Sequence, residues 1–168
     1  VGSCMNTGHY CCGTERIYVV EQVYDEFLAK VVAGARKLRQ GNALGFEEDV
    51  GAVFWDKQME IIERHVEDAV AKGATVHVGG RRNPELKGLY YEPTVMTGVN
   101  HDMQIMRDET FGPVLCIQKV RDVEEALRLG ARSFVAKPVQ TNTLARAVQD
   151  ALRGVERHRE ATEVPLLP

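Results

Sequence analysis

VLCIQKV, Val114 to Val120, is apolar on both sides of an extended chain. Val114, Cys116 and Val120 alternate with Leu115 and Ile117, so a strand here has no wet face and suits the interior of a sheet covered on both sides. Working outward, YYEPTVMTGV (90–99) reads as an extended segment in which Pro93 restricts Glu92, and ATVHVGG (74–80) as a further strand. Before these, Met59, Ile62, Val66, Ala69 and Val70 recur at helical spacing up to Gly73, which stops the run. An earlier helix is marked by Tyr24, Phe27, Leu28, Val31, Ala35 and Leu38, with Arg36, Lys37 and Arg39 at its end, and GNALGFEEDVG (41–51) separates the two. RIYVVE (16–21), β-branched and aromatic, precedes them as a strand. This alternation gives an α/β class: a three-layer arrangement of a sheet with flanking helices.

Past the opening strand the pattern continues with a short helix from Val123 to Leu129, a brief strand SFVA (133–136) ended by Pro138, and a periodic helix carrying Leu144, Ala147, Val148, Ala151, Leu152 and Val155. Thr141 or Asn142 can cap that helix, and EATEVPLLP (160–168) reads as frayed. No repeat or low-complexity stretch interrupts the chain.

The 168 residues suit one domain, and 44% hydrophobic with 27% charged residues is an ordinary globular balance. No apolar run is long enough to span a bilayer, and a net charge of −3 with dispersed basic residues lacks the footprint of a nucleic-acid binder. A small molecule or a protein is the expected partner, with neither nucleic acid nor membrane. VGSCMNTGHY (1–10) has no secretory pattern and reads as a cut through a larger protein. Four cysteines at 4, 11, 12 and 116 do not make a disulfide framework, and neighbours 11 and 12 are poorly placed to bridge, so a reducing cytoplasm is expected.

NTGHYCCGTER (6–16) concentrates the chemistry. A catalytic cysteine must ionise, meet a carbonyl carbon and have a donor for the resulting oxyanion, and a turn between Gly8 and Gly13 can bring backbone N–H groups near. Cys11 and Cys12 can equally be small buried residues under a loop. Cys4, His9, Cys11 and Cys12 supply four potential zinc ligands, but at spacings that match neither a C-x₂-C knuckle nor a helical His pair, so no metal site is expected. A Cys-His hydrolase with His9 as base lacks an orienting carboxylate or carboxamide.

These residues resemble the active-cysteine motif of NAD(P)-dependent aldehyde dehydrogenases, where a glycine precedes the nucleophile by three positions and an arginine follows it by five. Gly8, Cys11 and Arg16 occupy those positions, with His9 where glutamine is common. GLYYEPTV (88–95) is similar to the family's glycine-aromatic-x-x-P-T stretch, and MRDETFGPVL (106–115) to its E-x-F-G-P signature. The resemblance implies that Cys11 is the nucleophile, that Glu109 holds the nicotinamide ribose, and that Phe111 packs near the nicotinamide ring. It also implies the reaction: the thiolate attacks an aldehyde, hydride leaves for NAD or NADP, and water hydrolyses the thioester to a carboxylic acid. Taken without a family, Phe111 reads as a core ring and Gly112-Pro113 as a turn.

On this resemblance, residues 1–129 are a partial aldehyde dehydrogenase catalytic domain. The family's dinucleotide-binding domain, its E-L-G-G glutamate and its oxyanion asparagine have no counterpart in these residues, so hydride transfer by the chain alone is not expected. Residues 130–168 resemble the end of a response-regulator receiver domain, with Lys137-Pro138 at its K-P position. The alternative reading is therefore a signalling or interaction fragment, or a non-catalytic structural domain. Exposed sheet edges would let copies pair as a homo-oligomer.

Overall fold

The computed structural model describes residues 2–42 and 47–131. The expected SFVA strand, the Lys137-Pro138 pair and the helix from Leu144 to Val155 lie outside the described residues. The chain divides after Arg121 into two units.

The first unit runs β1 (Arg16–Val20), α1 (Glu21–Ala35), α2 (Asp56–Ala71), β2 (Thr75–Val78), β3 (Thr94–Thr97) and β4 (Val114–Val120). The strands form one sheet in the order β1-β4-β3-β2. β4 pairs in parallel with β1 and with β3, and β2 runs antiparallel to β3. VLCIQKV is thus an interior strand, and side-chain alternation decides which helix each residue meets. Tyr18, Met96, Val114 and Cys116 turn to the face covered by α2, whereas Ile17, Val19, Val95, Leu115 and Ile117 turn to the face covered by α1. This is the expected sheet between helices.

Element ends follow local chemistry. Glu21 and Asp56 open α1 and α2 with negative charge at the helix N-terminus. Gly73 stops α2 at φ 96°, donating its N–H to Val70 O at 3.0 Å while Ala74 donates to Ala69 O at 2.9 Å, the paired bonds of a glycine C-cap. Three expectations shift. Leu38, Arg36, Lys37 and Arg39 fall beyond the end of α1, in turns closed by Lys37 N–H to Gly34 O and Leu38 N–H to Ala35 O. Only Thr94–Thr97 of the extended stretch 90–99 pairs as a strand, consistent with Pro93 having no N–H to give a ladder. On α2 the stripe includes buried His65, while Val70 stands 48% exposed.

The described part of the second unit is α3 (Val123–Arg128). Asp122 caps it by accepting the Glu125 N–H at 2.7 Å, and Gly130 at φ 102° ends it with Ala131 N–H bonded to Ala126 O.

Candidate active site

The loop before β1 is built from tight local bonds. Thr14 N–H donates to Gly2 O at 3.0 Å, and the hydroxyls of Ser3 and Tyr10 donate to Thr14 O and Gly2 O, closing the loop at its base. At its tip Gly13 N–H donates to Tyr10 O at 3.1 Å, leaving Cys11 and Cys12 as the two central residues of a turn. Both thiols are exposed and free, with their Sγ atoms 3.8 Å apart. The hydrogen bond to Cys11, followed by its charge, pushes the Cys12 thiol pKa up. The Gly13 N–H is taken up in closing this turn.

Gly8 has a different task. Asn6, Thr7 and Gly8 take successive left-handed φ values of 48°, 59° and 79°, and a Cβ on Gly8 would lie 2.1 Å from Gly112 O. The loop carrying the thiols therefore rests its backbone directly on the F-G-P turn, contact that only a residue without Cβ permits. Gly112 in turn rests on α2, where an added Cβ would meet Ile62 Cδ1 at 2.6 Å.

The segment 108–111 is fixed from several directions. Arg16 donates through Nη2 to Asp108 O at 2.6 Å and through Nε to Ile105 O at 3.4 Å. Gln58 Nε2 donates to Thr110 O at 2.7 Å, and the Thr110 hydroxyl lies 3.1 Å from His65 Nδ1. Glu15 Oε1 accepts the N–H groups of Thr110 at 3.0 Å and Phe111 at 2.8 Å. Phe111 itself has φ 45°, uncommon for a residue with a bulky side chain.

Between the two loops lies a cleft of about 290 Å³ bordered by Cys11, Glu15, Arg16, Glu109 and Phe111, among others. The three residues singled out in the sequence, Cys11, Glu109 and Phe111, are thus brought together across almost a hundred residues of chain. Cys12 does not border the cleft. Glu109 is exposed and Phe111 half-buried, so Phe111 is not a fully buried core ring.

His9 turns elsewhere. Its ring meets Phe54 edge-on at 5.1 Å, its Nε2 is buried without a hydrogen-bond partner, and burial lowers its pKa. Among the described residues no three His, Cys, Asp or Glu side chains converge as a metal site, and no described helix is long and apolar enough to cross a membrane. A larger apolar cavity of about 550 Å³ lies beneath α1, lined in part by Cys4, Ile17, Phe27, Val31 and Leu115.

Sequence reasoning missed Glu15, Gln58, His65 and Thr110. His65 left a signal, since it follows Ile62 by three positions on an apolar helix stripe. Glu15 left little beyond its place beside Arg16.

A nicotinamide ribose requires a hydroxyl acceptor beside a flat apolar surface. Glu109 and Phe111, both bordering the cleft, offer a carboxylate and an aromatic ring of those kinds.

Comparison with known proteins bears on the chain as a whole. The sequence pattern of the aldehyde dehydrogenase family matches residues 1–149, which extends twenty residues past the boundary at residue 129 that the motifs suggest. A protein of Mycobacterium ulcerans (strain Agy99), provisionally named succinate-semialdehyde dehydrogenase [NADP(+)] 2, is 43% identical over 122 residues, 73% of this chain and 24% of that protein. The solved succinate-semialdehyde dehydrogenase of Burkholderia pseudomallei is 32% identical with a TM-score of 0.76, covering 88% of this chain and 32% of that one. Betaine aldehyde dehydrogenase of Staphylococcus aureus, solved in complex with NAD+, is 29% identical with a TM-score of 0.75, covering 90% and 31%. The chain spans about a quarter to a third of the length of these relatives. With its thiol turn seated on an F-G-P turn, and with a sequence pattern matched over most of its length, this chain belongs to the aldehyde dehydrogenase family.

Proposed function

We propose that this chain is the thiol-bearing part of an enzyme that oxidises an aldehyde to a carboxylic acid with NAD or NADP, and that Cys11 is its nucleophile. The observation that carries this reading is the cleft in which Cys11 faces Glu109 and Phe111. Cys11 is exposed at the tip of a turn that its own loop holds closed, so an aldehyde carbon can approach the sulfur without rearrangement of the backbone. Attack by the Cys11 thiolate forms the C–S bond while the carbonyl π pair moves onto oxygen, giving the thiohemiacetal as its oxyanion, which takes a proton from water where no hydride acceptor is bound. Bound nicotinamide would accept the hydride. Glu109 would hold the ribose hydroxyls and Phe111 would shape the slot for the ring, while Arg16 anchors the segment behind them through its bonds to main-chain carbonyls.

The remaining steps call for groups that these residues do not include by motif: a general base to activate water and a side-chain amide for the oxyanion. Glu15, the other carboxylate on the cleft, has Oε1 engaged by two main-chain N–H groups. The isolated chain is therefore expected to form the thiohemiacetal adduct without producing NAD(P)H. Reduced, unbridged thiols suit a cytoplasmic setting. A signalling or interaction role, the second reading, rests on the resemblance of residues 130–168 to a receiver end in sequence alone. The family match through residue 149 weighs against that role for the first half of the segment. Pairing of copies through sheet edges is supported by the place of β2 at the end of the strand order, where one of its sides has no strand partner among the described residues.

The test is the rate of alkylation by chloroacetamide as a function of pH, for the wild-type chain, Cys11→Ser and Cys12→Ser, with an aldehyde-dependent NAD(P)H assay alongside. In the wild-type chain, with the labelled sulfur located by fragmentation mass spectrometry, Cys11 should be alkylated ahead of Cys12 near neutral pH, because only thiolate reacts and the hydrogen bond to Cys11 pushes the Cys12 thiol up. Equal rates for the two thiols would remove Cys11 from the role.

A further inference from the structure

We propose that Glu15 is a positioning residue that sets the cofactor side of the cleft against the thiol side, by holding Thr110 and Phe111 through their main-chain N–H groups. The proposal rests on the reading of Glu109 and Phe111 as the nicotinamide-facing residues.

Three observations converge on this side chain. First, one oxygen, Oε1, accepts two successive N–H groups, from Thr110 at 3.0 Å and Phe111 at 2.8 Å. A carboxylate oxygen has the lone pairs and the charge for two such bonds, and they orient the peptide units as well as holding them. Second, the second of those N–H groups belongs to Phe111, whose φ of 45° persists only where the surroundings impose it. Third, Glu15 is itself anchored. Its main-chain oxygen accepts the Cys116 N–H at 2.9 Å, which ties it to the interior strand β4, and Arg16 Nη2 lies 3.9 Å from Oε2.

Glu15 also occupies the right place in the chain. It follows Thr14, which closes the base of the cysteine loop, and precedes the first residue of β1. A single side chain thus links the turn that presents Cys11 to the loop that presents Glu109 and Phe111, two segments almost a hundred residues apart. Thr110 is held from other sides by Gln58 and His65, but Phe111 N–H has Glu15 as its acceptor. Loss of the carboxylate should therefore free Phe111 more than the segment as a whole.

The experiment uses the full chain, labelled with ¹⁵N, as wild type, Glu15→Ala and Glu15→Gln. Amide hydrogen exchange is compared at Thr110 and Phe111 and across Val114–Val120, and nicotinamide mononucleotide is titrated while the shifts of Glu109 and Phe111 are followed. Glu15→Ala should speed exchange at Thr110 and Phe111 about tenfold, leave β4 within about twofold, and weaken the nucleotide-induced shifts about fivefold. Glu15→Gln, whose amide oxygen still accepts, should restore most of both. Unchanged exchange at Thr110 and Phe111 in Glu15→Ala, an equal loosening of β4, or a glutamine variant no better than alanine would each overturn the proposal. A wild-type chain whose Glu109 and Phe111 ignore the nucleotide would instead count against the cofactor reading, and the exchange rates would still decide whether Glu15 holds the loop.

Discussion

The two faces of the sheet are built differently. Beneath α2, Met59, Ile62 and Ala69 have no exposed surface, and they pack with Met96, Met103 and Tyr91 into a continuous core. Beneath α1 the buried apolar cluster among the described residues is just Val19, Val95 and Ile117, every residue of the helix keeps some exposure, and the cavity of about 550 Å³ opens between helix and strands. Both helices carry an apolar stripe, so periodicity alone makes them equivalent; packing does not. The candidate site leans on the finished face. Gly112 rests against Ile62, Thr110 is fixed by Gln58 and His65, and all three of those partners belong to α2. A reactive cleft needs walls that do not yield, and the dense side of the sheet supplies them.

If this contrast is real, truncating the two helices must have unequal costs. Ile62→Ala, at a site with no exposed surface, should lower stability by about 4 kcal/mol, the transfer and cavity contributions adding. Phe27→Ala on α1 removes more atoms but from a half-buried position beside an existing cavity, and should cost about 1 to 2 kcal/mol. Urea midpoints for the two variants decide it. A larger loss for Phe27→Ala would mean that α1 is the tighter side and that the site's support has been misassigned.

Between these in size stands Gly8→Ala. The added Cβ would overlap Gly112 O at 2.1 Å and would hold alanine at φ 79°, so the thiol loop and the F-G-P turn must separate. A loss of about 3 kcal/mol is expected, together with slower alkylation of Cys11 relative to Cys12. Stability falling with no change in thiol selectivity would show that the contact supports the fold but not the site.

Legibility in the sequence followed the same physical divide. Features carried by repeating patterns were readable: VLCIQKV announces its interior position because both of its faces are apolar, and the stripe from Met59 to Ala69 announces a helix. Cys11, Glu109 and Phe111 were singled out by resemblance, since short motifs hold them at fixed spacing. Their shared cleft was not, because it depends on which main-chain groups Glu15 and Arg16 reach, and side-chain bonds to distant backbone leave no period. The extent of β3 and the end of α1 were likewise set by local hydrogen bonding rather than by the apolar pattern.

The smallest expected effect is a titration on the dense face. His65 is 2% exposed, and burial, aided by the charge of Arg64, pulls its pKa below the ordinary imidazole value, while Asp108 and Asp68 oppose the shift. The folded chain therefore binds fewer protons than the unfolded chain once pH drops below about 6.5, the imidazole value without a fold. Stability from this group is fully present above that pH and is lost as pH falls through the window beneath it. His9 shifts in the same direction, again through burial. The carboxylates of Asp68 and Glu63, lowered by their bonds to Lys72 and Arg82, give way only in more acid solution, near and below about pH 4. Unfolding free energies from urea titrations at pH 7 and pH 6 should thus fall by under about 1 kcal/mol in the wild type, and by less in His65→Gln, which has no proton to gain. An identical slope in the variant would move the titration to His9 and away from the wall of the cleft.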